Sequence, residues 1–347
     1  MLETLWFVLL AAMLATYVVL DGLDLGAGIL HLFVARNDAE RRQVIRSIGP
    51  VWDGNEVWLL AAGGTMFFAF PTLLATSFSG FYLPLMIVLW LLVFRALAIE
   101  LRHQLSDPIW TQFWDVAFAL ASVFLAICFG AALGNVIRGV PLDESGVFFA
   151  PLWTDFKVGE ATGVLDWYTV LIGVMALVAL AHHGALWLVA RTDEAVFRRA
   201  ERAAKFLWVA VLLLTVLGTV ATWAVQPNVG RSLAARPWGL MLPLIAGGGL
   251  VASRFALRRG NGRLAFRASA VFVYGMLGSA AIGVYPYVLP ARNEAFGLTA
   301  SNAASSPHGL TVALAWWIPG MVIAIGYFVF LYRTLPEVVS VSDSEAH

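Results

Sequence analysis

Apolar runs of about twenty residues or more recur along the whole of this 347-residue chain, which is 60% hydrophobic and only 13% charged. Coiled as helices at ~1.5 Å per residue, such runs match the ~30 Å of hydrocarbon in a bilayer. Inside lipid a backbone must satisfy its own hydrogen bonds, and a helix does so within one segment. The expected fold is therefore an all-α polytopic integral membrane protein with about nine transmembrane helices. They are placed at 5–34, 51–71, 78–101, 115–137, 165–190, 204–225, 238–257, 267–289 and 310–333.

Basic residues orient these spans. Sixteen of the 22 Lys and Arg fall at the turns after spans one, three, five and seven or in the tail, including Arg36, Arg41, Arg42 and Arg46, then Arg198, Arg199 and Arg202, then Arg258, Arg259 and Arg263. The excess of Lys and Arg marks the cytoplasmic side, so the amino terminus is expected outside and the carboxyl terminus inside. The start, Met1-Leu2-Glu3-Thr4-Leu5-Trp6, lacks a basic n-region and its apolar run outlasts that of a signal peptide, so it reads as a retained first helix. Residues 1–337 read as a single transmembrane domain, and 338–347 as a cytoplasmic tail. Ala35-Arg36-Asn37-Asp38 followed by Arg41-Arg42 resembles Ala190-Arg191-Thr192-Asp193 followed by Arg198-Arg199. An even number of spans per unit would make such repeats parallel: two four-helix units, 1–138 and 165–290, with 310–333 as a peripheral helix.

Three neighbouring spans carry charge that lipid does not tolerate alone. The first holds Asp21-Gly22-Leu23-Asp24-Leu25-Gly26-Ala27-Gly28. The second begins Gly49-Pro50-Val51-Trp52-Asp53-Gly54-Asn55-Glu56-Val57-Trp58-Leu59, and the third ends Phe94-Arg95-Ala96-Leu97-Ala98-Ile99-Glu100. With the orientation above, Asp21, Asp24, Asp53, Glu56, Arg95 and Glu100 can gather at one depth, two or three turns of ~5.4 Å from the cytoplasmic surface. The i,i+3 spacing puts Asp21 with Asp24, and Asp53 with Glu56, on one face of each helix. Acids in a first turn also offset the helix dipole, which is a sufficient reason for Asp53 and Glu56 but not for Asp21 and Asp24, far from a helix start. Five acids against Arg95 leave either a static ion-pair knot or groups that take and hand on protons, a proton path inward from the cytoplasm.

Cofactor ligands are scarce. Of six histidines only His182 and His183 lie deep in a span, and adjacent histidines point about 100° apart on a helix, so they do not share one metal from one face. The lone Cys128 rules out an internal disulfide and a CxxC knuckle. No metal or cofactor site is expected in this chain, and a formal net charge of +0 gives no nucleic-acid surface. Any redox chemistry would use a partner's cofactors.

These same stretches resemble subunit II of cytochrome bd-type quinol oxidases, as do Tyr285-Pro286 with Pro290 and the Leu298-Thr299 to Ala303-Ala304-Ser305-Ser306 segment before the last span. The resemblance covers essentially the whole chain. It implies a bacterial inner-membrane complex that oxidises quinol and reduces dioxygen to water, with haem b and haem d in a larger subunit I. It implies proton delivery for Trp52 and Asp53, and less directly for Glu56, Asp21, Asp24, Arg95 and Glu100. The family leaves room for a bound quinone or lipid and for small single-span partners. An independent proton-coupled transporter and a purely structural assembly subunit are the alternative readings of the same residues.

Overall fold

Residues that start helices stand at the turns between the apolar runs. Asn37, Asp107, Asp166, Asn261 and Ser306 each accept a hydrogen bond from a first-turn backbone N–H, and Pro108 and Pro307 occupy the first helical position where no N–H is needed. The computed structural model describes residues 1–159, 162–335 and 338–340. Its helices are α1 (Leu2–Val34), α2 (Asp38–Ile48), α3 (Trp52–Ala69), α4 (Pro71–Gly80), α5 (Tyr82–Leu101), α6 (Pro108–Arg138), α7 (Trp167–Arg191), α8 (Glu194–Val225), α9 (Pro227–Ala235), α10 (Met241–Arg258), α11 (Gly262–Val284) and α12 (Pro307–Thr334). Eight are long and apolar enough to cross a membrane, and the bent pair α3–α4 makes a ninth if counted as one. The protein is thus an all-α, multi-pass membrane protein.

Several expected boundaries move: α6 starts at Pro108 rather than 115 and α8 at Glu194 rather than 204, and others shift as follows. The span placed at 51–71 stops at Ala69, where Phe70 leaves the helical region ahead of Pro71, and α4 departs at 117°. The proline ring crowds the residue before it out of the α conformation. Residues 71–80 are then a short helix, where a loop was expected at 72–77, and the next span starts at Tyr82 rather than 78. The span placed at 267–289 runs instead from Gly262 to Val284, and Tyr287–Leu289 is a strand, β1, paired antiparallel with β2 (Leu298–Thr299).

Helices α1 and α7 form the centre. Each packs on the other, on α6 and on α11, while α3 lies on α1, α8 on α7, α5 on α6 and α10 on α11. Without a hydrophobic drive between helices in lipid, close backbone approach through small residues supplies much of the association. Gly26 and Gly184 are that approach: a β-carbon on Gly184 would stand 2.2 Å from the Gly26 carbonyl carbon. α12 rests on α3 and buries only Leu310 fully. Of the expected tail, Val339 donates its N–H to the Arg191 carbonyl at 2.8 Å and accepts from Gln43 Nε2 at 2.7 Å, while 341–347 lie outside the described residues.

Candidate functional site

The α1–α3 contact brings the charged stretches together towards the end of the bundle that carries the arginine-rich turns. Asp21, Asp24, Asn55 and Arg95 are fully buried. Arg95 Nη1 is 2.7 Å from Asp21 Oδ1, and its Nη2 donates to Glu56 Oε1. Asn55 donates to Asp24 Oδ2 at 2.8 Å and to the Leu20 carbonyl at 3.2 Å, and accepts from the Tyr332 hydroxyl at 3.0 Å. One guanidinium therefore sits between carboxyls of two helices, and Asp24, equally buried, is held by an amide rather than by a cation.

Four of the seven residues singled out in the sequence meet here: Asp21, Asp24, Glu56 and Arg95. The other three do not. Glu100 is exposed, because five positions from Arg95 is about 140° around a helix and so faces away. Asp53 is also exposed, in the first turn of α3, one turn before Glu56, whose side chain is 24% exposed. Trp52 is half-buried and packs on the apolar core formed by Ile48, Val51 and Trp187, so it shapes the start of α3 rather than joining the polar cluster. The three carboxyls of the cluster therefore form a graded series with Asp53, from a surface acid through a partly open Glu56 to the enclosed Asp21 and Asp24.

Sequence reasoning missed Asn55 as a ligand of Asp24, and Tyr332, which arrives from α12, 277 positions away. It also missed a second network at the same end. His31 Nε2 is 2.6 Å from Asp115 Oδ1, which Arg102 Nε meets at 2.5 Å, while Arg41 Nη1 reaches Asp115 Oδ2 at 3.0 Å. Arg102 continues to Asp38 Oδ1 at 2.8 Å, and Arg42 also binds Asp38. The signal available was weak, since Asp115 fell on a span boundary and Arg102 in a turn. On the connecting helix α2, partial burial opposes ionisation of Asp38, but Arg102 and Arg42 outweigh it and hold its carboxyl below the usual range. Glu40 is held low in the same way: burial opposes, and Arg199 together with the backbone N–H groups of Arg36 and Asn37 prevails. At the opposite end Arg138 binds Asp166 and Asn135 Oδ1, and Asp166 also caps α7, which ties α6 to α7.

With Asp21, Asp24, Glu56 and Arg95 all ionised, the cluster carries three negative charges against one positive. An excess of that kind inside a bilayer costs at least ~2.5 kcal/mol per ion on insertion scales. Proton uptake by its carboxyls would cancel that excess.

Among the described residues no group of three His, Cys, Asp or Glu is placed to hold a metal. His183 is engaged by the Val19 carbonyl at 3.0 Å and Ser269 Oγ at 2.7 Å, and His31 by Asp115.

Comparison with known proteins gives one consistent result. The family model for cytochrome bd terminal oxidase subunit II matches residues 2–335. A probable cytochrome oxidase subunit 2 of Haemophilus influenzae is 30% identical over 96% of this chain and 94% of its own length. The cytochrome bd-I ubiquinol oxidase subunit 2 of Escherichia coli K12 is 28% identical over 93% of this chain and 91% of its own length. A chain in the solved structure of bd oxidase from Geobacillus thermodenitrificans shares the fold with a TM-score of 0.76, at 19% identity, over 96% of this chain and 98% of that one. A match across nearly the full length, on a chain whose most polar membrane residues are also its family-like motifs, leads to one conclusion: this chain belongs to the subunit II family of cytochrome bd terminal oxidases.

Proposed function

We propose that this chain is the haem-free subunit of a quinol:dioxygen oxidoreductase, that it supports a haem-bearing subunit I, and that it draws protons from the cytoplasm toward that partner. The observation that carries the proton reading is the graded series from exposed Asp53 through Glu56 to buried Arg95, Asp21 and Asp24. The arginine-rich turns stand at the same end, and the positive-inside rule makes that end cytoplasmic, with the amino terminus outside. Haem in the partner supplies electron transfer and dioxygen binding. This chain's own residues bind and pass protons: Glu56 faces the opening, Arg95 keeps Glu56 and Asp21 within its reach, and Asn55 with Tyr332 orients Asp24. Reducing dioxygen to water consumes protons, so such a route serves the reaction without touching oxygen.

The two sets of spans read as a duplication. Helix α1 takes α3 and α6 as neighbours in the way α7 takes α8 and α11, and α5 lies on α6 as α10 lies on α11. Parallel four-helix units at 1–138 and 165–290, with 310–333 added, account for that correspondence.

Two measurements test the assignment. Glu56→Gln in the assembled oxidase keeps a hydrogen-bonding partner for Arg95 but carries no exchangeable carboxyl proton. Oxygen uptake is expected to fall severalfold at unchanged haem content, and unchanged uptake would remove Glu56 from the route. The isolated chain, expressed alone and stringently washed, is expected to show no Soret band. A stoichiometric band would overturn the haem-free assignment.

A further inference from the structure

The outer groove between α10 and α11 lies apart from the acid cluster. Two adjoining cavities of about 680 and about 410 Å³ run along it and share Gly248, Ala252 and Leu264 in their walls. Open space surrounds Gly247 and Gly248 where a β-carbon would stand, so α10 is cut back to its backbone here. Val251, Phe255 and Val271 give the groove apolar sides.

Its basic end is chemically different. Arg259 lines one cavity and Arg267 the other, and Asn261 stands at the turn between the helices. Asn261 Oδ1 accepts from Leu264 N at 3.0 Å and so caps α11, leaving its amide nitrogen as a donor beside the positive end of that helix. Between Glu201 and Glu294 the sequence contains no Asp or Glu. Among the described residues neither Arg259 nor Arg267 has an ion-pair partner. The groove thus joins an apolar trough to a cationic mouth that no acid among the described residues neutralises.

We propose that this groove holds an anionic phospholipid of the leaflet at the basic end, its phosphate at Arg259, Asn261 and Arg267 and an acyl chain along Gly248 and Ala252. Arginine forks suit phosphate oxygens, and a helix amino terminus adds partial positive charge. A lipid brings its anion at headgroup level, where Arg259 ends α10 and Arg267 lies in the second turn of α11. A transmembrane partner helix would instead have to carry a carboxylate into this region at the cost that buried ions incur.

The test uses the purified oxidase complex in phosphatidylcholine nanodiscs doped with photoactivatable phosphatidylglycerol or, separately, photoactivatable phosphatidylcholine of the same chain length. Phosphatidylglycerol is expected to label residues 245–271 on the order of tenfold more than phosphatidylcholine, a preference that Arg259→Gln with Arg267→Gln abolishes. Gly248→Leu fills open space, so the complex and its haem content should survive while phosphatidylglycerol labelling falls. Equal labelling by both lipids would mean ordinary annular contact and overturn the proposal. So would a preference that survives the double substitution, or a polypeptide cross-linked into the groove in place of lipid.

Discussion

Arg95→Leu is expected to leave little or no assembled oxidase, while Asp21→Asn assembles close to normally. Arg95 is fully buried and is the cation that both Asp21 and Glu56 face. Its removal leaves those carboxyls opposed without compensation, with Asp24 one turn further along α1. Breaking a buried ion pair by deleting one partner costs ~3–5 kcal/mol, a large share of the stability of an ordinary domain. The converse change is mild, since Asp21→Asn subtracts one negative charge from an excess and leaves Glu56 on the guanidinium. Arg102 cannot substitute, because Asp115 and Asp38 already occupy it. Blue-native gels of membranes carrying each variant measure the outcome. Equal complex yields would show that the Arg95 charge is dispensable for folding.

The spans and the heart of the cluster were legible because lipid makes both stand out. A run of apolar residues has one stable form in a bilayer, and acids within it demand partners from neighbouring runs, so the sequence alone groups Asp21, Asp24, Glu56 and Arg95. Rotation around a helix decided what that grouping got wrong. Glu100 lies about 7.5 Å further along α5 than Arg95 and faces away, and Asp53 stays at the surface one turn ahead of Glu56. Contacts made by tertiary packing left no local trace. Tyr332 reaches Asn55 only because α12 lies on α3, and His31 meets Asp115 only because α1 packs on α6. The α3–α4 bend was written in Pro71, but an apolar sequence on both sides hid it.

Asp53→Asn is expected to assemble with normal haem content and to slow quinol-driven oxygen uptake on the order of tenfold, since the amide keeps the shape of the side chain but carries no exchangeable carboxyl proton. Its exposure makes the substitution structurally cheap, so a loss of rate reports chemistry rather than folding. A proton drawn inward from the cytoplasm also moves charge through the membrane field, with up to ~2.3 kcal/mol per 100 mV for a full crossing. On the proposed route, closing its mouth therefore affects more than rate: any turnover that persists takes its protons from elsewhere.

The decisive measurement is oxygen uptake recorded together with membrane potential in liposomes containing the Asp53→Asn oxidase. Cytoplasmic proton delivery through this chain predicts that both turnover and charge moved per electron fall below wild type. Wild-type values for both would make Asp53 a stabiliser of the α3 amino terminus and contradict the proton-delivery account.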